Sequence, residues 1–189
     1  LMNLVIFGPP GAGKGTQSKF IATKFNMYQL STGEFLRKEM SKNTQIGKKI
    51  STVINSGSLV SDQIVSDLIE KVISNNEYRS RIIFDGYPRN LNQAKNLENL
   101  LKKYDQKIDI VLKLSVSLET IKKRISERRT QEKRPDDIEK IAIKRFETYE
   151  KSTEPIIEYY KKLNLLKVVD GERPIDQINN EISDIISSI

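Results

Sequence analysis

Residues 8–16, Gly8-Pro9-Pro10-Gly11-Ala12-Gly13-Lys14-Gly15-Thr16, hold four glycines, two prolines and one lysine in nine positions. Glycines let backbone N–H groups converge on an anion without interference from Cβ atoms. A helix beginning at the end of such a turn adds partial positive charge. Lys14 brings a mobile full charge suited to the β- and γ-phosphates of a nucleotide. Gly11, Ala12, Gly13, Lys14, Gly15 and Thr16 are therefore candidate nucleotide-binding residues. The pattern usually sets Ser or Thr directly after the lysine, but here Gly15 intervenes. A hydroxyl one position late is poorly set for direct ligation, so Mg²⁺ is expected to be held largely through water. Asp85 closes the apolar run Ile82-Ile83-Phe84. An aspartate at the carboxyl end of a parallel strand points into the ligand crevice of an open α/β sheet.

Elements that could position these groups flank them. Leu4-Val5-Ile6-Phe7 is short, apolar and partly β-branched, the pattern of a buried parallel strand. A helix over 16–25 puts Phe20, Ile21 and Phe25 on one face. Further along, 28–30 reads as a second strand, and Ser31 with Glu34 has capping-box spacing for a helix through about Met40. Helices are expected over 45–56 and 62–75, a strand over 81–85, and a helix over 91–104. A strand over 110–114 and a helix over 118–127 follow. The stretch 128–137 has three arginines and a proline but almost no apolar residue, and reads as a short exposed loop. A long helix from about Ile138, bent near Pro155, a strand over 165–169 and a helix over 175–186 complete the chain. The expected fold class is α/β, a doubly wound five-stranded parallel sheet in one domain.

Composition narrows the chemistry. At 189 residues, 37% hydrophobic and 30% charged, the chain suits one globular domain. It contains neither cysteine nor histidine. Disulfides, thiol catalysis, an imidazole base and a Cys/His zinc site are excluded, so no zinc is expected. No apolar run approaches a membrane span, and no leader is expected, with Met2 the expected native start behind Leu1. The net charge of +7 comes mainly from 22 lysines spread along helical faces. Scattered lysine with few aromatics reads as a solvated surface rather than a nucleic-acid site.

Taken together, several stretches resemble the adenylate kinases, nucleoside monophosphate kinases with a P-loop, from Leu4 to about Pro174. They are the glycine turn through Gln17, Ser31-Thr32-Gly33-Glu34-Phe35-Leu36-Arg37, Gly57-Ser58-Leu59-Val60, and Asp85-Gly86-Tyr87-Pro88-Arg89 with Gln93. Arg124-Ile125-Ser126-Glu127-Arg128-Arg129, Arg134-Pro135-Asp136-Asp137, Arg145-Phe146-Glu147-Thr148-Tyr149, Thr153-Glu154-Pro155 and Val169-Asp170-Gly171 continue the order. In that family Gly15-Thr16 is a normal variant of the loop. Only ten arginines stand against the 22 lysines, yet six, Arg37, Arg89, Arg124, Arg128, Arg134 and Arg145, fall on motif positions. Guanidinium groups grip phosphate oxygens bidentately and stay charged, which suits phosphoryl transfer without a base.

The resemblance implies reversible transfer, ATP + AMP = 2 ADP, with Mg²⁺. Lys14 and Arg128 would hold the transferring phosphate and its donor chain. Arg37 and Arg89 would hold the AMP phosphate, while Arg134 and Arg145 neutralise charge between the nucleotides. Arg124 would lie against the ATP adenine, with the backbone near Arg173 touching the same base. Asp85 would organise Mg²⁺ through its water shell. Thr32, Ser58, Leu59, Val60, Gln93 and the turn Gly86-Tyr87-Pro88 would form the AMP pocket. Residues 31–60 would be an AMP-binding helical insertion and 124–137 a short lid, since only seven residues separate Arg128 from Asp136. Glu132-Lys133 replaces the usual Ser-Gly before the lid arginine. The expected setting is a cytoplasmic monomer acting on ATP, AMP and ADP, with no membrane or nucleic-acid partner. A UMP/CMP kinase of the same family and a non-catalytic P-loop nucleotide-binding protein remain the alternatives. Thr32 and Gln93 favour AMP over pyrimidines, and the second set of phosphate ligands, Arg37 and Asp85 to Arg89, argues against a one-site switch.

Overall fold

The computed structural model describes residues 1–55, 61–132 and 139–189, with side chains for 1–53, 61–127 and 139–189. Five strands make one parallel sheet: β1 (Leu4–Phe7), β2 (Tyr28–Ser31), β3 (Ile82–Asp85), β4 (Ile110–Ser115) and β5 (Leu166–Asp170). Their spatial order is β2-β3-β1-β4-β5, so the first strand lies in the middle. The register aligns Ile6 with Asp85 and with Leu112, which sets the strand ends side by side. Helices cover both faces: α1 (Lys14–Lys24), α2 (Thr32–Ser41), α3 (Gln45–Asn55), α4 (Asp62–Ile73), α5 (Leu91–Lys103), α6 (Leu118–Glu132), α7 (Glu139–Lys162) and α8 (Ile175–Ser187). Among the described residues no helix is long and apolar enough to cross a membrane.

Alternation along the strands splits the core in two. Leu4, Ile6, Leu112 and Leu114 face a layer built from Ile21 of α1, Ile121 of α6, and Ile178, Ile182 and Ile186 of α8. Val5, Phe7, Phe84 and Val111 face the other layer, made by α4, α5 and α7 through Ile69, Leu97 and Ile156. Phe20 and Phe25 pack partly buried against the first layer, as the expected face of α1 requires. Strands buried on both sides carry uninterrupted apolar runs, which is why they were readable from sequence.

Two expectations are corrected. The helix placed at 118–127 runs on to Glu132, so the start of the stretch read as loop is helical. Arg, Glu and Gln are good helix formers, and the first breaker after Leu118 is Pro135; a lack of apolar residues does not end a helix. Ser31 does stand at the N-cap of α2, but its side chain accepts no capping hydrogen bond. The capping box is therefore absent. The long helix α7 continues through Pro155.

Candidate functional site

The turn after β1 is built for an anion. Gly11 and Gly13 have φ of +87° and +90°, a region that a side chain would strain. Ala12 N–H closes the turn onto the Pro9 carbonyl at 3.0 Å. The ladder of α1 begins with Gln17 N–H donating to Gly13 C=O, so the amides of Lys14, Gly15 and Thr16 head the helix without helical acceptors. Space around Gly15 is open, with nothing within 4 Å of a Cβ placed there. Lys14 Nζ reaches across to Asp85 Oδ1 at 3.0 Å. Asp85, 7% exposed at the end of β3, takes a second bond from Gln29 Nε2 at 3.3 Å. The mobile cation and the strand-end carboxylate that the sequence singled out are thus in direct contact.

The turn after β3 forms a second cluster. Gly86 has φ +87°, and a Cβ there would stand 2.9 Å from Thr32 Oγ1. Its carbonyl accepts from Thr32 Oγ1 at 3.1 Å and from Arg89 Nε at 2.9 Å. The Tyr87–Pro88 peptide bond is cis. Asn90 caps α5 by accepting from Gln93 N–H at 2.8 Å. The Gln93 side chain is buried and engaged at both ends: Oε1 accepts from Arg89 N–H at 2.7 Å, and Nε2 donates to Asp62 Oδ1 at 2.8 Å. An amide has a second N–H and a second lone pair, and among the described residues nothing takes up either. Burial pushes the Tyr87 hydroxyl up, against a bond from Asn96 Nδ2. Arg37 curls back along α2, bringing its guanidinium to 3.4 Å from a Cβ position at Gly33, beside the helix start.

A cleft of about 980 Å³ joins these pieces. Its floor is the glycine turn, one wall is Gly86, Pro88 and Arg89, and the other is a face of α7. That face carries Ile141, Lys144, Arg145, Thr148, Tyr149 and Ser152, spaced three and four apart as one helical side requires. Arg145 was expected here. Ile141, Lys144 and Tyr149 carry no expected site role, although the four-residue spacing of Ile141 and Tyr149 from Arg145 marks those two; Lys144 is lost among the surface lysines. Burial strongly raises the pKa of the Tyr149 hydroxyl, so it stays protonated.

Arg124, expected beside the donor base, donates from Nη1 to Gly11 C=O at 3.1 Å and from Nη2 to Gly171 C=O at 2.7 Å. It ties the glycine turn to the loop after β5. Arg173 turns its guanidinium onto Glu181 and Asp170, leaving only its backbone for the role expected of it. Ser58, Leu59, Val60 and Arg134, and the side chain of Arg128, lie outside the described residues.

Among the described residues, no three His, Cys, Asp or Glu side chains group so as to hold a metal ion. One strand-end carboxylate, Asp85, in contact with the cleft-lining Lys14, suits a hydrated Mg²⁺ carried in by nucleotide phosphates rather than a protein-built cage.

Comparison with known proteins agrees with this geometry. The family model described as adenylate kinase matches residues 6–165. A protein named adenylate kinase from Pelagibacter ubique is 43% identical, over 98% of this chain and 99% of its own. One of the same name from Petrotoga mobilis is 38% identical, over 99% of this chain and 98% of its own. A third, from Caulobacter sp. strain K31, is 38% identical over the whole of both chains. The Caulobacter alignment spans 188 positions, against 211 and 214 for the other two, so those two carry residues that this chain does without.

Proposed function

Because the chain belongs to the adenylate kinase family, we propose that its cleft catalyses ATP + AMP = 2 ADP. The observation that carries this reading is one cleft lined by the glycine turn with Lys14, by Arg89 and by Arg145, cations from three separate elements. Phosphoryl transfer requires in-line positioning and neutralisation of charge on the equatorial oxygens more than it requires a base. The amides heading α1 and Lys14 hold the donor phosphates, and Lys14 leaves Asp85 for them. Arg37 and Arg89 hold the acceptor phosphate, at the α2 start and the turn after β3. Arg145, with Arg128 and Arg134, neutralises charge between the two nucleotides. Asp85 would hold Mg²⁺ through water, and the ion when bound supplies charge neutralisation on the donor phosphates.

On the acceptor side, Gln93 keeps one open donor and one open acceptor position for an adenine edge, beside Thr32 and the turn Gly86-Tyr87-Pro88. Residues 31–60 are the AMP-binding insertion and 124–137 the short lid; the shorter length relative to the Pelagibacter and Petrotoga proteins supports a short-lid form. On the donor side, the bonds Arg124 makes lie in its guanidinium plane and leave the flat faces for the ATP base. A coupled assay of ADP formation from Mg-ATP with AMP, CMP and UMP in turn tests the reading. AMP should be preferred by at least about tenfold in kcat/KM, because a pyrimidine leaves the second donor and acceptor positions of the buried Gln93 amide unmatched. A preference for CMP or UMP would overturn it in favour of a pyrimidine kinase.

A further inference from the structure

The loop after β5 is held by a carboxylate that the function described above does not use. Glu172 Oε1 accepts three hydrogen bonds: from Ser117 Oγ at 2.6 Å, Thr120 Oγ1 at 2.6 Å and Ser117 N–H at 3.1 Å. Ser117 Oγ also accepts from Thr120 N–H, so it caps α6 while serving Glu172. A carboxylate at a helix start is further favoured by the helix dipole. These hydroxyl and amide donors hold the Glu172 carboxyl down to about 2, with the Arg124 charge a lesser cause.

The same face of α6 then grips the phosphate loop. Ser117, Thr120 and Arg124 follow at spacings of three and four. Arg124 bridges Gly171 C=O, next to Glu172, and Gly11 C=O. Gly171 itself packs closely: its N–H donates to Ser115 C=O at 2.9 Å, and a Cβ there would meet Val116 Cγ2 at 2.7 Å. The position of the Gly171 carbonyl, and with it the bridging Arg124, is therefore set by what holds residues 170–172.

We propose that Glu172 is a positioning residue for the donor-nucleotide side of the cleft, clamping the loop after β5 to α6 so that Arg124 can bridge that loop to the phosphate loop. The inference rests on the reading that ATP occupies the phosphate loop. Its effect is one-sided because of the sheet order. The loops after β4 and β5 lie on one side of β1, while Thr32, Arg89 and Gln93 follow β2 and β3 on the other.

The test uses the full chain carrying Glu172→Ala or Glu172→Gln. KM for ATP and for AMP are measured in the ADP-forming assay, and ATP affinity without AMP by calorimetry. Losing hydrogen bonds to an ionised acceptor predicts about a tenfold rise in KM and Kd for ATP in Glu172→Ala, with KM for AMP little changed. Glu172→Gln keeps a carbonyl acceptor and should recover part of the loss. Adding Thr120→Val to Glu172→Ala should cost little more, since both act through one contact. Unchanged ATP affinity, or equal rises for ATP and AMP, would overturn the inference. A wild type making no ADP would overturn the activity alone, because ATP binding by calorimetry still decides the role of Glu172.

Discussion

Lys14 is the cation that the proposed reading moves from Asp85 to the donor phosphates. It sits at the first position of α1, supports no core contact, and meets Asp85 at 3.0 Å. In the proposed mechanism it stabilises negative charge that develops on the transferring phosphate. Lys14→Ala should lower kcat by at least about 10²-fold while leaving the thermal unfolding midpoint near that of the wild type. A mutant within a fewfold of the wild-type kcat would remove Lys14 from the mechanism. Gln93 is the opposite kind of residue, buried and already bonded to Arg89 N–H and Asp62. Gln93→Ala should raise KM for AMP about tenfold, the scale of leaving one buried polar partner unmet. KM for ATP should barely move, since ATP occupies the other side of the cleft. Equal damage to both substrates would assign Gln93 a purely structural role.

Between residues and fold, the junction of α2 with α3 shows how an element is fixed by backbone contact. A Cβ at Gly47 would stand 2.3 Å from Glu39 C=O and 2.6 Å from Lys42 C=O, both rigid backbone atoms. Glu39 is itself buried, with its carboxylate paired to Lys42 at 3.0 Å and to Lys71 of α4 at 3.8 Å. Gly47→Ala should therefore separate α2 from α3 at a cost of about 1–3 kcal/mol, the scale of overpacking. KM for AMP should rise more than that for ATP; a variant as stable as the wild type would contradict the close approach. This junction was invisible in the sequence, because Gly47 sits in an amphipathic run that reads simply as helix. The end of α6 was missed for the reverse reason: polar residues were read as loop, although their propensities are helical. The strands were legible because burial on both faces leaves only apolar residues at Leu4–Phe7 and Ile82–Phe84.

At the scale of the whole molecule, the site exists because separate elements end at one edge of the sheet. Glycine turn, Asp85 turn and α7 face lie far apart in sequence and meet in one cleft. The first two were legible as local motifs. The α7 contribution is legible at Arg145 and, by four-residue spacing, at Ile141 and Tyr149, whereas Lys144 gains meaning only from what stands opposite it. A cleft this size, open between walls on different elements, must narrow for transfer to outcompete water. The segment α2–α3 contributes no strand to the sheet, and on the proposed reading it closes over the acceptor side. On the proposed reading its arginine, Arg37, and Arg145 on α7 both turn to phosphate. A mimic joining ATP-like and AMP-like ends should therefore slow amide exchange in 32–53 and in the first turns of α7, besides the turn at Lys14. ATP alone should protect the glycine turn and leave 32–53 unchanged. Protection confined to the neighbourhood of Lys14 with the joined mimic would mean that the two nucleotide sides do not close on each other.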